Sequence, residues 1–128
     1  MLLALPQPWR AGRGRIDLER LAQEDWIVGS RQTDDRLLAE RACAVAGFAP
    51  RMTHTVDDYD LLLRMVAAGL GVGFVPALGL RFPSAEAVVV RTPGGAPLSR
   101  RVHALTRGAL TASPLVLALL WELASTAK

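Results

Sequence analysis

The side chains able to do chemistry in this sequence of 128 residues gather in two polar stretches, GSRQTDD at Gly29 to Asp35 and HTVDD at His54 to Asp58, followed by the glycine string GLGVG at Gly69 to Gly73. His54 beside Asp57 and Asp58 has the residue types of a metal or acid–base cluster, but aspartates at a helix start are explained by the positive end of the helix dipole. Neither His54 nor His103 stands at ligand spacing from the cysteine or from the other histidine, so no metal site is expected. Ser30 lies in VGSRQ, which lacks the second glycine of a nucleophile elbow. Cys43 sits within a helical pattern with no base nearby in sequence. An enzyme is therefore not expected, and no cofactor is implied. The glycine string does not read as a nucleotide fingerprint either. A phosphate cradle follows a strand and opens a helix, whereas these glycines follow a helix and open a strand.

The elements that position these stretches follow from period and punctuation. Leu61, Leu62, Met65 and Val66 make one apolar stripe of a 3.6-residue period, with Asp57, Asp58, Asp60 and Arg64 opposite. Thr55 followed by Asp58 resembles a capping box, Gly69 is placed to stop the helix, and Leu70 to Phe74 then run as a buried strand ended by Pro76. Upstream, Thr33 with Asp34 and Asp35 starts another helix, whose Leu37, Leu38, Ala42 and Val45 are expected to face inward and which Gly47 ends. Strands are expected at Leu2 to Leu5, Trp26 to Val28 and Arg51 to Thr55, and later at Ala87 to Val90 and Arg101 to Thr106. The segment TPGGAP, Thr92 to Pro97, reads as a linker, and Ser113 and Pro114 open a last helix with Leu115, Val116, Leu119, Leu120 and Leu123 on one face. The alternation predicts an α/β fold, a mostly parallel sheet with flanking helices.

Composition sets the class. A hydrophobic fraction of 51% and a charged fraction of 21% describe a globular chain. The net charge of +3 comes from 15 basic and 12 acidic residues interspersed, with a single lysine. The preference for arginine fits genome composition better than a nucleic-acid surface, because the denser patch of Arg10, Arg13, Arg15 and Arg20 has no aromatic platform beyond Trp9. One cysteine fits a reducing compartment. Met1 to Leu5 is too short for a signal peptide, and Pro114 to Trp121 falls far short of the roughly 20 apolar residues that span a bilayer. A cytoplasmic protein without a membrane partner is expected.

Ligands of open α/β sheets sit beyond the carboxyl ends of strands, where helices begin. Two such ends are legible: Ser30, Arg31, Gln32 and Thr33 after one strand, and Thr55, Val56 and Asp57 after the next. Their hydroxyls and backbone amides suit a carboxylate or another small anion. Phe74 and Pro76, at the end of a third strand, would add an apolar wall. The plainer alternative, that Thr33 and Thr55 are only helix caps, stays open at this level.

Four segments resemble the C-terminal effector-binding part of LysR-type transcriptional regulators: PWRAGRGRIDLERLAQEDWIVGS (Pro8 to Ser30), AGFAPR (Ala46 to Arg51), VDDYDLLLRMVAAGLGVGFVP (Val56 to Pro76) and SRRVHALTR (Ser99 to Arg107). The resemblance implies a type 2 periplasmic-binding-protein-like fold, two α/β lobes joined by crossover strands with a small molecule between them. Residues 1 to 95 would then be the second lobe with its entering crossover, and 96 to 128 the return strand and last helix of an incomplete first lobe. It also implies an effector near Ser30, Gln32, Thr55 and Val56. No helix-turn-helix pattern is present, so DNA contact would belong to a part absent from this chain. The last helix looks built for a core that is mostly missing, and self-association through Leu115, Leu119 and Leu123 into a homo-oligomer is expected. A scaffold or dimerisation module without ligand, or a lobe of a solute-binding protein, are the alternatives.

Overall fold

The structure is a computed structural model and describes residues 1–126. Ala127, the predicted end of the last helix, and Lys128 lie outside the described residues. Six strands, β1 (Leu2–Leu5), β2 (Arg15–Ile16), β3 (Asp25–Val28), β4 (Arg51–Thr55), β5 (Gly73–Val75) and β6 (Val89–Pro93), accompany three α-helices, α1 (Asp34–Val45), α2 (Tyr59–Ala67) and α3 (Pro114–Thr126).

Hydrogen bonding joins β2, β6, β1 and β5 in that order, and β3 pairs in parallel with β4. The two groups meet where the Ile27 amide donates to the Val72 carbonyl and the Val72 amide to the Asp25 carbonyl, each at 2.8 Å. The unit β3-α1-β4-α2-β5 thus has the expected parallel sense, but the sheet as a whole is mixed rather than mostly parallel. β1 runs antiparallel to both β5 and β6. The strand–helix alternation that predicts parallel pairing runs only from β3 to β5, and β1 lies outside it. Its LLAL side chains, three of them buried, place it between β5 and β6.

Side chains alternate across this sheet and create two cores. Leu3, Leu5, Trp26, Val28, Val72 and Phe74 pack on the α1 side with Leu21, Ala39, Ala42 and Cys43. Ala4, Ile27 and Val75 pack on the α2 side with Leu62, Leu63 and Val66. That is the two-residue period of strands read in three dimensions.

In α1 and α2 the expected apolar faces hold only in part: Leu38 packs on the core and Ala42, Leu62 and Val66 are buried as expected, and other positions differ. In α1 the buried face is Ala39, Ala42 and Cys43, whereas Leu37 is 43% and Val45 91% exposed. Small residues let the helix sit close to the sheet, and the larger side chains fall outside. In α2 the buried set is Leu62, Leu63 and Val66, and Leu61 is exposed. The cap differs as well. Asp58, not Thr55, is the N-cap residue, its Oδ1 accepting the Leu61 amide at 2.8 Å, while Thr55 ends β4. Thr33 caps α1 as expected, accepting the Arg36 amide at 3.4 Å. The helices stop at Gly47 and Gly69, both with φ near +80° (85° and 78°), the left-handed conformation that glycine adopts without strain.

Two later expectations fail. Thr92 and Pro93 belong to β6, not to a linker, and pair with Arg15 and Ile16. Arg101 to Thr106 forms no strand, with Val102 81% and Leu105 95% exposed. A strand needs a neighbour for its backbone groups, and no strand among the described residues lies alongside this one. α3 forms as predicted, yet none of its described residues is buried. No helix among the described residues is long and apolar enough to cross a membrane.

Candidate functional site

Where β3 and β4 end and α1 and α2 begin, the backbone leaves a cavity of about 440 Å³. Gly29, Gln32, Thr33, Val56, Asp57 and Phe74 line it, so most of the expected set converges from three separate segments. Ser30, Arg31, Thr55 and Pro76 are not among the lining residues. Thr55 and Arg31 are exposed, and Ser30 takes part through its backbone alone.

That backbone role changes the expected chemistry. The Asp57 carboxylate accepts the Ser30 amide at 2.7 Å, so the strand-end amide supposed to meet an anion is already used to tie the β3 end to the β4 end. Thr33 has two roles. Its hydroxyl donates to the Ser30 carbonyl at 2.8 Å and caps α1, while the residue also forms part of the cavity wall. Gly29 makes this closeness possible, since a Cβ there would stand 2.4 Å from Thr33 Oγ1.

Three further polar side chains on the cavity wall have no place in the sequence-based set: Asp35, Tyr59 and Arg100. The Tyr59 hydroxyl donates to Asp35 Oδ2, and Arg100 Nη1 donates to Asp35 Oδ1 at 2.6 Å. Burial, with the Asp35 hydrogen bond and charge adding to it, pushes the Tyr59 hydroxyl up to about 12, so it stays a protonated donor at neutral pH. Asp35 and Tyr59 were visible as residues of helix starts, where nothing local marks them as partners. Arg100 is 65 residues from Asp35 and follows the glycine-rich turn, so no sequence pattern links the two. Asp34, Asp35 and Asp57 give the wall three carboxylates against one guanidinium, that of Arg100.

The His54, Asp57, Asp58 grouping separates in space. His54 Nδ1 lies 2.9 Å from the Thr53 hydroxyl, Asp58 caps α2, and Asp57 holds Ser30. Cys43 is buried against the sheet and its thiol is raised to about 12 by desolvation, the state of a core side chain and not of a nucleophile.

The family model described as LysR substrate binding domain matches residues 1–128, the whole chain. The chain belongs to the LysR substrate-binding domain family. Among curated relatives it is 32% identical over 84 residues to the HTH-type transcriptional regulator YfeR of Shigella flexneri, covering 66% of this chain and 24% of that protein. It is 34% identical over 68 residues to the HTH-type transcriptional regulator TtuA of Agrobacterium vitis, covering 52% of this chain and 22% of that one. This LysR domain thus spans about a quarter of the length of the curated relatives it matches. Its fold is similar to the regulatory domain of Synechocystis CcmR, solved in complex with 2-PG, at a TM-score of 0.74, 17% identity, and 99% coverage of this chain against 62% of that one. The C-terminal domain of a probable LysR family regulator from Rhodococcus sp. RHA1 gives a TM-score of 0.61 at 24% identity, covering 77% of this chain and 49% of that chain. Both of these curated relatives are HTH-type transcriptional regulators.

Proposed function

We propose that this LysR domain senses a small organic acid held in the cavity at the ends of β3 and β4, and that its occupancy controls transcription by a longer regulator carrying the DNA-binding part. Residues 1–95 act in this reading as the second effector lobe, and 96–128 as the return segment and closing helix of the first. A cytoplasmic location accords with that role. The observation that carries the proposal is the convergence of Gln32, Thr33, Val56 and Phe74 on one cavity of about 440 Å³, a size suited to a small metabolite.

A thermal-shift screen of the purified chain against small aliphatic and aromatic acids tests it. A ligand at a hundredfold excess over its Kd stabilises the folded state by about 2.7 kcal/mol, a rise in Tm on the order of 10 °C. Val56→Phe, which narrows the cavity while leaving the Val56 amide bond to the Val28 carbonyl in place, is expected to remove most of that rise. If no acid in the screen moves the parent chain, the sensing role is wrong.

α3 favours a second reading alongside the first. Leu115 is 83%, Leu119 60%, Trp121 69% and Leu123 51% exposed, and a helix this apolar is normally covered. We infer that two copies of this chain cover each other's α3 and form a homo-oligomer. Leu119→Asp is expected to convert the associated species to monomer in light scattering. A parent chain that is monomeric at high concentration, without aggregation, rules this contact out.

A further inference from the structure

We propose that Arg100 is the side chain that reads the effector's acid group, held in position by Asp35 and Tyr59, and that ligand binding thereby fastens the segment leading to α3 onto the lobe. This rests on the cavity reading above and names both its specificity and its output.

The geometry is that of a prepared cation. A guanidinium has five N–H donors in a rigid fork, and Asp35 Oδ1 takes one through Nη1. The second Asp35 oxygen accepts the Tyr59 hydroxyl, so the carboxylate is gripped from both sides and fixes the fork before any ligand arrives. Arg100 also lies against the Tyr59 hydroxyl, and its remaining N–H groups, which meet no other side-chain acceptor among the described residues, leave a face able to take a carboxylate with two hydrogen bonds. Binding that needs no rearrangement of its receiving group loses less to ordering.

Charge on the cavity wall selects further. Arg100 is the one cationic side chain lining the cavity among the described residues, and the other charged groups there are Asp34, Asp35 and Asp57. An entering acid group has a single place to go. A second carboxylate on the same molecule would face Asp34 or Asp57, so the favoured class is a monocarboxylate whose far end is apolar or donates hydrogen bonds, against Phe74, Val56 or the aspartates.

The position of Arg100 in the chain supplies the output. Leu98 packs against the core and the Gly95 carbonyl accepts Arg15 Nη2 at 2.6 Å, so the chain is anchored up to that point. Beyond Arg100 every residue from Arg101 to Thr111 is exposed. Arg100 is therefore the last side-chain tie, among the described residues, between the lobe and the segment that continues to α3. A ligand bridging Arg100 and the β3 and β4 ends strengthens that tie, and so couples occupancy to the placement of the 101–113 segment and α3.

The test titrates the parent chain, Arg100→Gln, Arg100→Lys and Asp35→Asn with glycolate, pyruvate and benzoate and with the dicarboxylates malonate and succinate, and monitors tryptic cleavage after Arg101 and Arg107 with and without each acid. Far-UV circular dichroism melts check that each variant is folded. Expected are a monocarboxylate that binds the parent, a loss of at least tenfold in affinity in R100Q, a partial loss in R100K, and a severalfold loss in D35N, where the arginine remains but is no longer held. Bound acid is expected to slow cleavage after Arg101 and Arg107 severalfold in the parent and not in R100Q. Unchanged affinity and unchanged protection in a folded R100Q overturn this inference and leave the cavity reading standing. Preference for dicarboxylates overturns the assigned ligand class, and a parent that binds none of the acids overturns both readings together.

Discussion

Trp26→Ala is expected to lose most of the stability of this domain, with a drop of roughly 3–5 kcal/mol and a far lower urea midpoint. Trp26 has no solvent-exposed surface and fills the α1-side core between Phe74 and Phe48, with ring centroids 5.5 Å and 6.3 Å away. Its indole N–H donates to the Leu21 carbonyl at 3.3 Å, tying the turn before β3 to the sheet. The residue also lies at the junction of the two strand groups, opposite Val72. Truncation leaves a large hole in a fold whose total stability is of order 5–15 kcal/mol, while the Leu21 carbonyl keeps the Glu24 amide as its partner. Trp121→Ala is the control: that side chain is 69% exposed, and monomer stability should change by only about 0.5 kcal/mol. Denaturant unfolding followed by circular dichroism separates the cases, and a loss below about 1 kcal/mol in W26A would show that the core can collapse around the gap.

Gly71→Ala is the second large effect. Gly71 has φ +155°, and a Cβ there would stand 2.5 Å from the Asp25 carbonyl oxygen, a backbone atom that cannot step aside. That carbonyl is also the acceptor for the Val72 amide, so the collision falls on the bond joining the two halves of the sheet. The expected cost is on the order of 2–4 kcal/mol, from strained backbone and a weakened junction together. Gly108→Ala, where a Cβ meets nothing within 4 Å and φ is not positive, should be near neutral. Comparable melting temperatures for the two variants would sink the packing account of the glycine string. The same contrast bears on the nucleotide question, because glycines required by a carbonyl of the neighbouring strand have a structural reason to be glycine.

Asp57 shows how a residue picked out by its local position can hold a distant tie that the sequence does not display. Its place after a strand and before a helix marked it as near a ligand, and it does line the cavity. Its carboxylate nevertheless satisfies the Ser30 amide 27 residues earlier, a bond no local pattern foretells. The capping role of Thr55 passes to Asp58 for a related reason. Thr55 and Asp58 both have capping side chains, and the geometry of the β4 exit decides which one meets the helix start. Asp58 takes that place, and the buried residues of α2 are Leu62, Leu63 and Val66.

By itself the sequence determined what depends on neighbours a few residues apart: the β3-α1-β4-α2-β5 order, the glycine stops at Gly47 and Gly69, the position of α3, and the family through its longer segments. These are fixed by propensity, capping and period, which act over about one helical turn or strand. The tertiary structure alone decided the antiparallel insertion of β1, the burial of Leu63 in place of Leu61 and the exposure of Leu37 and Val45, the loss of the strand at Arg101 to Thr106, and the meeting of Arg100 with Asp35 and Tyr59. Each of these depends on which distant group is present to accept a hydrogen bond, bury a face or balance a charge, and such partners are chosen only when the chain has closed on itself.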